Sequence, residues 1–123
     1  MDFKPTEEQE LMVQAIEEAM TRENLETYFQ DCDREHKHPK KWWDLLDELG
    51  LFSMFLPEEA GGDGEGAITM FLVMEALGRC GGPIYLFWDH VKADALLENG
   101  TKEQIDKFMP MFFEGKPAFA QGF

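Results

Sequence analysis

The opening stretch of the chain interleaves acidic residues with apolar ones at the spacing of a helix. Apolar side chains recur three and four positions apart, at Leu11, Met12, Ala15, Ile16 and Met20. Thr6 and Gln9 in front of them form a capping box, in which each side chain satisfies the other residue's backbone N–H. This pattern predicts a first helix over about residues 7–22, and Leu25, Tyr28 and Phe29 carry the spacing further. Residues 31–40 lack apolar periodicity and are predicted to be a connector.

Four more helices are predicted between residues 39 and 115. The second begins near Pro39, which suits a first helical turn, and ends at Gly50. Its apolar face consists of Trp42, Leu45, Leu46 and Leu49. The remaining three are predicted over about 67–79, from Pro83 to about Asn99, and from a second capping box, Thr101 with Gln104, to near Glu114. Strand-like alternation is confined to residues 118–123, so the predicted fold class is all-α, a five-helix bundle.

Two of these helices carry apolar residues on nearly every side. Residues 67–74 read Ala-Ile-Thr-Met-Phe-Leu-Val-Met, and residues 84–88 read Ile-Tyr-Leu-Phe-Trp. A helix that is apolar all round must be covered all round, and a five-helix domain can do that for one central helix. Two such helices therefore predict an apolar surface meant for another domain, subunit or ligand. The alternative is one central helix with a lopsided neighbour.

Composition and charge narrow the function classes. The chain has 123 residues, enough for one domain, and a net charge of −14, of which −12 lies in residues 1–66. Such a negative field repels nucleic-acid phosphates and anionic lipids, so neither nucleic acid nor membrane is an expected partner. Cys32 and Cys80 stand alone, without the spacing of a disulfide framework. The polar N-terminus has no signal-peptide core and no apolar stretch approaches about 20 residues, so we expect a cytoplasmic protein.

Candidate ligand-binding motifs fail on their residue types. The loop Gly61–Gly66 precedes a helix like a phosphate cradle, but it contains Asp63 and Glu65 and no lysine follows it. Residues 31–42 begin like a calcium loop yet have His36 at the sixth position and Trp42 at the twelfth. A zinc site at Cys32, His36 and His38 would lack a fourth ligand at suitable spacing. No metal site is predicted.

Candidate catalytic residues fail as well. Ser53, the only serine, lies in an apolar run with no neighbouring histidine in sequence. Asp89 and His90 are adjacent on one predicted helix and therefore point to different sides. A basic, aromatic patch around Trp42 and Trp43 is interpreted as local charge balance rather than an RNA site; its cations are Arg34, Lys37, Lys40 and Lys41. The residues by themselves predict no catalytic group.

The order of short motifs resembles one known family. After Thr6-Glu7-Glu8-Gln9 and Cys32-Asp33-Arg34 come Leu49-Gly50-Leu51-Phe52, Leu56-Pro57-Glu58-Glu59-Ala60-Gly61-Gly62, Met74-Glu75-Ala76-Leu77-Gly78-Arg79 and Gly100-Thr101-Lys102-Glu103-Gln104. Each fragment is weak alone, but the combination is specific. Over essentially its full length the chain resembles the N-terminal helical domain of acyl-CoA dehydrogenases.

The resemblance implies an FAD-dependent enzyme of three domains, helical, β and helical, usually a tetramer. Such enzymes oxidise an acyl-CoA at its α and β carbons: a glutamate removes the α proton, FAD takes the β hydride, and the electrons pass to an electron-transferring flavoprotein. The family segment that begins the flavin and substrate contacts would start after Phe123, and the glutamate would lie further on. Residues 1–115 are thus expected to be the helical domain and 116–123 the start of a truncated β domain. We expect no bound FAD and no activity for this stretch alone.

The resemblance implies that this domain contributes one wall of the acyl pocket. In the family that wall comes from the helix before the G-T-x-E-Q motif, which places Ile84, Phe87, Trp88 and Val91 on it. Their spacing lies on one helical stripe, and core packing or an interdomain contact is the alternative. The bulk of Phe87 and Trp88 would suit a short or compact acyl group.

Two other functions stay open from the sequence. The chain could be a stand-alone helical module that binds a protein partner through its apolar helices. It could also be a family member that has lost its chemistry and binds acyl-CoA as a sensor.

Overall fold

The computed structural model describes residues 4–83 and 85–116. Within them the chain forms six α-helices and one 3₁₀ helix. The α-helices are α1 (Glu7–Arg22), α2 (Leu25–Glu35), α3 (Lys40–Glu48), α4 (Ala67–Arg79), α5 (Tyr85–Asn99) and α6 (Lys102–Phe113), and the 3₁₀ helix is Glu58–Ala60. The described residues are all-helical, as predicted. The predicted start of a β domain, at 116–123, falls almost entirely outside the described residues.

The predicted count of five helices is not confirmed, because the first apolar stretch forms two helices. α1 ends at Arg22, and Asn24 adopts a left-handed backbone with a φ of 48°. A left-handed residue cannot continue a right-handed helix, so the chain turns there and starts α2 at Leu25. The predicted connector at 31–40 is also too long, since α2 continues to Glu35 and ends at the left-handed His36. Asparagine tolerates this conformation better than most residues, which explains the break without a glycine.

Contacts divide the chain into two compact units. The first comprises residues up to 42 together with residues from 67 to 84, and the second comprises 43–66 together with residues from 85 onward. Each unit joins two separate segments of the chain, and the Gly61–Gly66 loop belongs to the second unit.

In the first unit, α1 and α4 pack side by side and run in the same direction. The Gln9 side chain donates to the Thr69 hydroxyl at 3.0 Å, and eight residues later along α1 the Glu17 carboxylate accepts from Arg79 at 2.6 Å. Ile16, Val73 and Leu77 are buried between these ties, and Met20 is buried just past Glu17. Leu11, although it shares the predicted spacing, is 61% exposed.

In the second unit, α5 and α6 pack over the turns that follow α3. A buried cluster of Leu56, Ala93, Met109 and Phe112 joins them. The end of α6 is held by Trp43, whose indole N–H donates to the Gly115 carbonyl at 2.5 Å. This hydrogen bond ties the end of α6 to α3.

The two helices predicted to carry apolar residues on nearly every side, α4 and α5, both expose apolar side chains. On α4, Ile68 and Phe71 are 71% and 69% exposed. On α5, Phe87, Trp88 and Val91 are also exposed. The alternative of one fully covered central helix is therefore wrong for α4 and for α5. Among the described residues, no helix combines the length and the apolar character needed to cross a membrane.

Candidate functional site: the exposed face of helix α5

Helix α5 presents one face to a core and another to solvent. Ala93 is fully buried against Leu56, Met109 and Phe112, and Leu96 and Leu97 pack against the same cluster. The helix ends at Asn99, after which the Gly100 N–H donates to the Leu96 carbonyl at 2.7 Å. Because its inner face is fixed in this way, the direction of its outer face is fixed too.

The outer face carries three of the four predicted wall residues. Phe87, Trp88 and Val91 are 41%, 48% and 40% exposed. The rings of Phe87 and Trp88 meet edge to face, with centroids 5.3 Å apart and planes at 75°, a geometry that aromatic quadrupoles favour. Ala95 continues the same stripe and is exposed. The fourth predicted residue, Ile84, lies outside the described residues.

Two side-chain pairs lie along α5 beside this stripe. Lys92 lies 2.8 Å from an Asp89 carboxylate oxygen, and His90 Nε2 lies 3.3 Å from Asp94. The His90 ring also faces Phe55, with centroids 6.3 Å apart. Asp89 and His90 have different ion-pair partners, but both line one small cavity together with Phe55 and Phe112, so the prediction that they point to different sides is not confirmed. The stripe itself consists of apolar side chains only.

A groove opens where the stripe reaches Ala95. It has a volume of about 370 Å³ and is lined by Lys92, Ala95, Leu96, Asn99, Gly100, Gln104 and Phe108. Its amide groups serve the protein's own backbone: the Asn99 amide donates to the Ala95 carbonyl at 3.1 Å, and the Gln104 side chain accepts from the Thr101 N–H at 2.8 Å. The groove is therefore a shallow space with few spare polar groups.

The glycine loop does not fit a flavin diphosphate. The N–H groups of residues 61–65 all donate to carbonyls of the preceding segment, those of Glu58, Pro57, Ser53, Leu56 and Met54 in turn. A Cβ on Gly62 would lie 2.1 Å from the Leu56 carbonyl oxygen, so this glycine serves close packing of the loop on itself. Phosphate binding needs backbone N–H groups that are open to the ligand. The five N–H groups of residues 61–65 already donate to backbone carbonyls, so they are not open to a phosphate.

Other residues considered from the sequence have structural partners. The Ser53 hydroxyl lies 2.9 Å from the Asp63 carboxylate. Charge balance is confirmed for three cations of the basic patch, in the pairs Arg34–Asp31, Lys37–Glu35 and Lys41–Glu23. Trp42 is fully buried, so it offers no stacking surface for a base. The described residues contain no group of three His, Cys, Asp or Glu side chains placed to hold a metal.

Sequence reasoning missed the tie between Lys41 and the end of α1. The Lys41 ammonium lies 2.8 Å from a Glu23 carboxylate oxygen, and it also donates to the Glu23 carbonyl at 2.9 Å. The hydrogen bond and charge of Lys41 lower the pKa of Glu23, which makes that carboxylate a weaker base than a free glutamate. Its role is structural, since the pair links α1 to α3 across the α2 segment.

The comparison with protein-family models matches residues 6–116 to the acyl-CoA dehydrogenase, N-terminal domain. No solved structure matches the chain. The family match runs from the first capping box to the last described residue and includes α5 with its exposed apolar face. By this match the chain belongs to the acyl-CoA dehydrogenase family, as an example of its N-terminal domain.

Proposed function

We propose that this chain is the N-terminal part of an FAD-dependent acyl-CoA dehydrogenase, which oxidises an acyl-CoA thioester between its α and β carbons or reduces the enoyl-CoA in reverse. The observation that carries the proposal is the family match over residues 6–116. Phe87, Trp88 and Val91 of α5, together with Ile84, which precedes α5 in the sequence, form one wall of the acyl pocket. Apolar side chains at 40–48% exposure are what a hydrocarbon-binding wall requires before the rest of the enzyme covers it.

FAD supplies the hydride chemistry when it is bound, and residues outside the described part of this chain hold it. Two features support placing the FAD site elsewhere. The N–H groups of the glycine loop already donate to backbone carbonyls, and residues 1–66 carry an excess of acidic side chains. The role of this chain is then to shape the pocket, to exclude water from it and to contact the β and C-terminal domains. By itself the 123-residue chain is inactive.

The partners follow from the same proposal. They are the remainder of the parent enzyme, the acyl-CoA substrate and an electron-transferring flavoprotein, with a homo-oligomer as the working form. Several segments outside the family motifs also resemble one subgroup, the crotonobetainyl-CoA reductases: Met1-Asp2-Phe3, Glu23-Asn24, Tyr28-Phe29 and Ile105-Asp106-Lys107. That closer assignment is part of the proposal and is tested by substrate.

The test compares the longer product of the same gene with the 123-residue chain. We expect the longer product to purify with a flavin spectrum that acyl-CoA bleaches in the absence of oxygen, and the short chain to bind no flavin. A longer product without flavin, or flavin that no acyl-CoA or enoyl-CoA affects in either redox state, contradicts the proposal.

A second function is favoured by the other exposed face. Leu11, Ile68 and Phe71, all in the first unit, are 61–71% exposed, which suits a helical module that binds a protein partner. A gene that ends at residue 123 and a chain that captures a defined partner through these three side chains would favour this alternative.

A further inference from the structure

We propose that Asn99 is a site of spontaneous covalent modification, which loses its side-chain amide through a cyclic imide formed with Gly100 when the end of α5 opens. The chain has two asparagines, Asn24 and Asn99, and only Asn99 is followed by a glycine. Asparagine is one of the chemically labile residues, and a following glycine, which has no side chain, leaves its backbone nitrogen open to approach. This inference concerns the lifetime of the domain and does not rest on the proposed function.

The reaction consumes water and needs no other reactant. The backbone nitrogen of Gly100 attacks the side-chain amide carbon of Asn99, so that a bond forms between Gly100 N and Asn99 Cγ. The bond from Cγ to Nδ2 breaks, and the amide nitrogen leaves as ammonia with the proton of the Gly100 N–H. Water then opens the cyclic imide at either of its carbonyls, which gives aspartate or isoaspartate with no oxidation or reduction.

The folded chain holds both reacting groups in hydrogen bonds. The Gly100 N–H donates to the Leu96 carbonyl at 2.7 Å, and the Asn99 amide donates to the Ala95 carbonyl at 3.1 Å. Ring closure has to break both bonds, because it removes the Gly100 proton and turns the Asn99 amide toward the Gly100 nitrogen. The last turn of a helix is among the segments that open at the lowest free energy. The rate of modification is therefore set by how often the end of α5 opens.

Close packing requires the glycine that makes Asn99 reactive. A Cβ at position 100 would lie 2.4 Å from the Leu96 carbonyl oxygen and 2.9 Å from Leu96 Cδ1. Any other residue would push the end of α5 away from the chain that follows it. Asn99 itself is exposed and lines the groove of about 370 Å³ beside Gln104. Water therefore has access to the imide once it has formed.

The products would weaken the packing of α5 on α6. Isoaspartate adds one carbon to the main chain directly before Gly100, where the structure has no space for an added carbon. Because Thr101 caps α6 immediately after Gly100, the longer link would displace the start of α6 from the end of α5. Aspartate keeps the length of the chain but places a negative charge at the C-terminal end of α5, where the helix dipole disfavours it.

The test follows the amide of Asn99 in the purified chain during incubation at neutral pH, with and without urea. Trypsin releases residues 93–102 and 23–34 as separate peptides, so mass spectrometry measures Asn99 and Asn24 side by side. We expect Asn99 to change from amide to acid faster than Asn24, and at least about 10-fold more slowly in the folded chain than in urea. Asn99→Gln keeps the amide on a longer side chain that forms the larger ring poorly, and it should abolish the change in this peptide.

Two core variants separate local opening of α5 from global unfolding. Leu96→Ala removes a side chain that lies against Gly100 and the buried cluster of the second unit, and it should accelerate the loss of the Asn99 amide about 10-fold. Val73→Ala creates a cavity in the first unit, where Val73 is fully buried, and should leave the rate unchanged. The inference is overturned if Asn99 is modified no faster than Asn24 or equally fast in the folded chain and in urea. It is also overturned if the two core variants accelerate the reaction equally.

Discussion

Gly115 is a single backbone position that three interactions define together. Its φ is +61°, and the following Lys116 N–H donates back to the Met111 carbonyl at 2.8 Å, as in a Schellman helix end. Trp43 donates to its carbonyl, and a Cβ at this position would lie 2.3 Å from the Phe52 ring. Only glycine satisfies the φ and the close approach at once.

Replacing Gly115 with alanine should therefore destabilise the chain strongly. We expect a loss of about 3 kcal/mol in the free energy of unfolding, from the left-handed backbone and from overpacking against Phe52. Gly50→Ala is the matched control: its φ is +68° but nothing lies within 4 Å of its Cβ, so it should lose only about 1 kcal/mol. Urea unfolding of the two variants measures both values. Equal losses would mean that the Phe52 ring yields to the new methyl group.

The Trp43 indole N–H should contribute measurably as well. Trp43→Phe keeps an aromatic ring beside Phe52, whose centroid lies 6.2 Å away, but it leaves the Gly115 carbonyl without this donor. We expect a loss of about 1 kcal/mol in urea unfolding. Trp88→Phe, at an exposed ring on α5, should change the same quantity by less than about 0.5 kcal/mol. A neutral Trp43 variant would show that water replaces the indole at no cost.

These residues also mark how far sequence reasoning reaches. The ends of the helices near Gly50 and near Gly115 follow from local rules for glycine at helix ends, and both positions do have a positive φ. The hydrogen bond from Trp43 to Gly115 joins positions 72 residues apart. No local pattern predicts such a pairing, because it depends on how the helices pack.

At the level of elements, the helix bounds were predictable where a start or stop signal is present. The predicted bounds of the helix over 67–79 agree with α4, and both capping boxes are present, at Thr6 with Gln9 and at Thr101 with Gln104. The division between α1 and α2 was missed because its signal is an asparagine, which is not a strong helix stop. On α5 three of the four predicted stripe residues, Phe87, Trp88 and Val91, are exposed, and contact of this stripe with acyl-CoA stays a prediction.

The two capping boxes should differ in strength because one of them has a second task. The Gln9 side chain caps α1 and also donates to the Thr69 hydroxyl, which is 3% exposed on α4. Gln104 has the same capping contacts on α6 at an exposed site. We expect Gln9→Ala to lose about 1 kcal/mol more than Gln104→Ala, because it also leaves a buried hydroxyl without its donor. Thermal or urea unfolding measures the loss of stability in the two variants. Equal losses would mean that the hydrogen bond between Gln9 and Thr69 contributes nothing to stability.

For the whole molecule, the pH dependence of stability should reflect the Glu23–Lys41 pair. The hydrogen bond and the positive charge of Lys41 lower the pKa of Glu23 below its ordinary value. A carboxyl whose pKa is lower in the folded chain stabilises it above the unfolded pKa, and this contribution disappears as the pH falls through the folded pKa. Glu23→Gln should therefore flatten the acid side of the stability curve below about pH 5, with a smaller effect at high salt because the pair is exposed. Glu48→Gln, an equal change of charge at the end of α3, is the control. Parallel acid curves for the two variants would contradict the prediction.

The exposed apolar faces make a prediction about the behaviour of the chain in solution. Ile68 and Phe71 lie three residues apart on α4, so they form one patch, and both are about 70% exposed. Soluble monomers rarely leave such large side chains together in water, and covering each one fully is worth about 2 kcal/mol.

If the rest of a larger enzyme normally covers this patch, the 123-residue chain should associate through it at high concentration. Sedimentation of the wild type should then show concentration-dependent association, and the double variant Ile68→Lys with Phe71→Lys should remain monomeric. Phe87→Lys with Trp88→Lys on α5 tests the other face in the same way, and the difference between the two doubles assigns the association to one of them. A wild type that stays monomeric at every concentration would mean that neither face needs a cover, and that would remove the physical reason for regarding this domain as part of a larger protein.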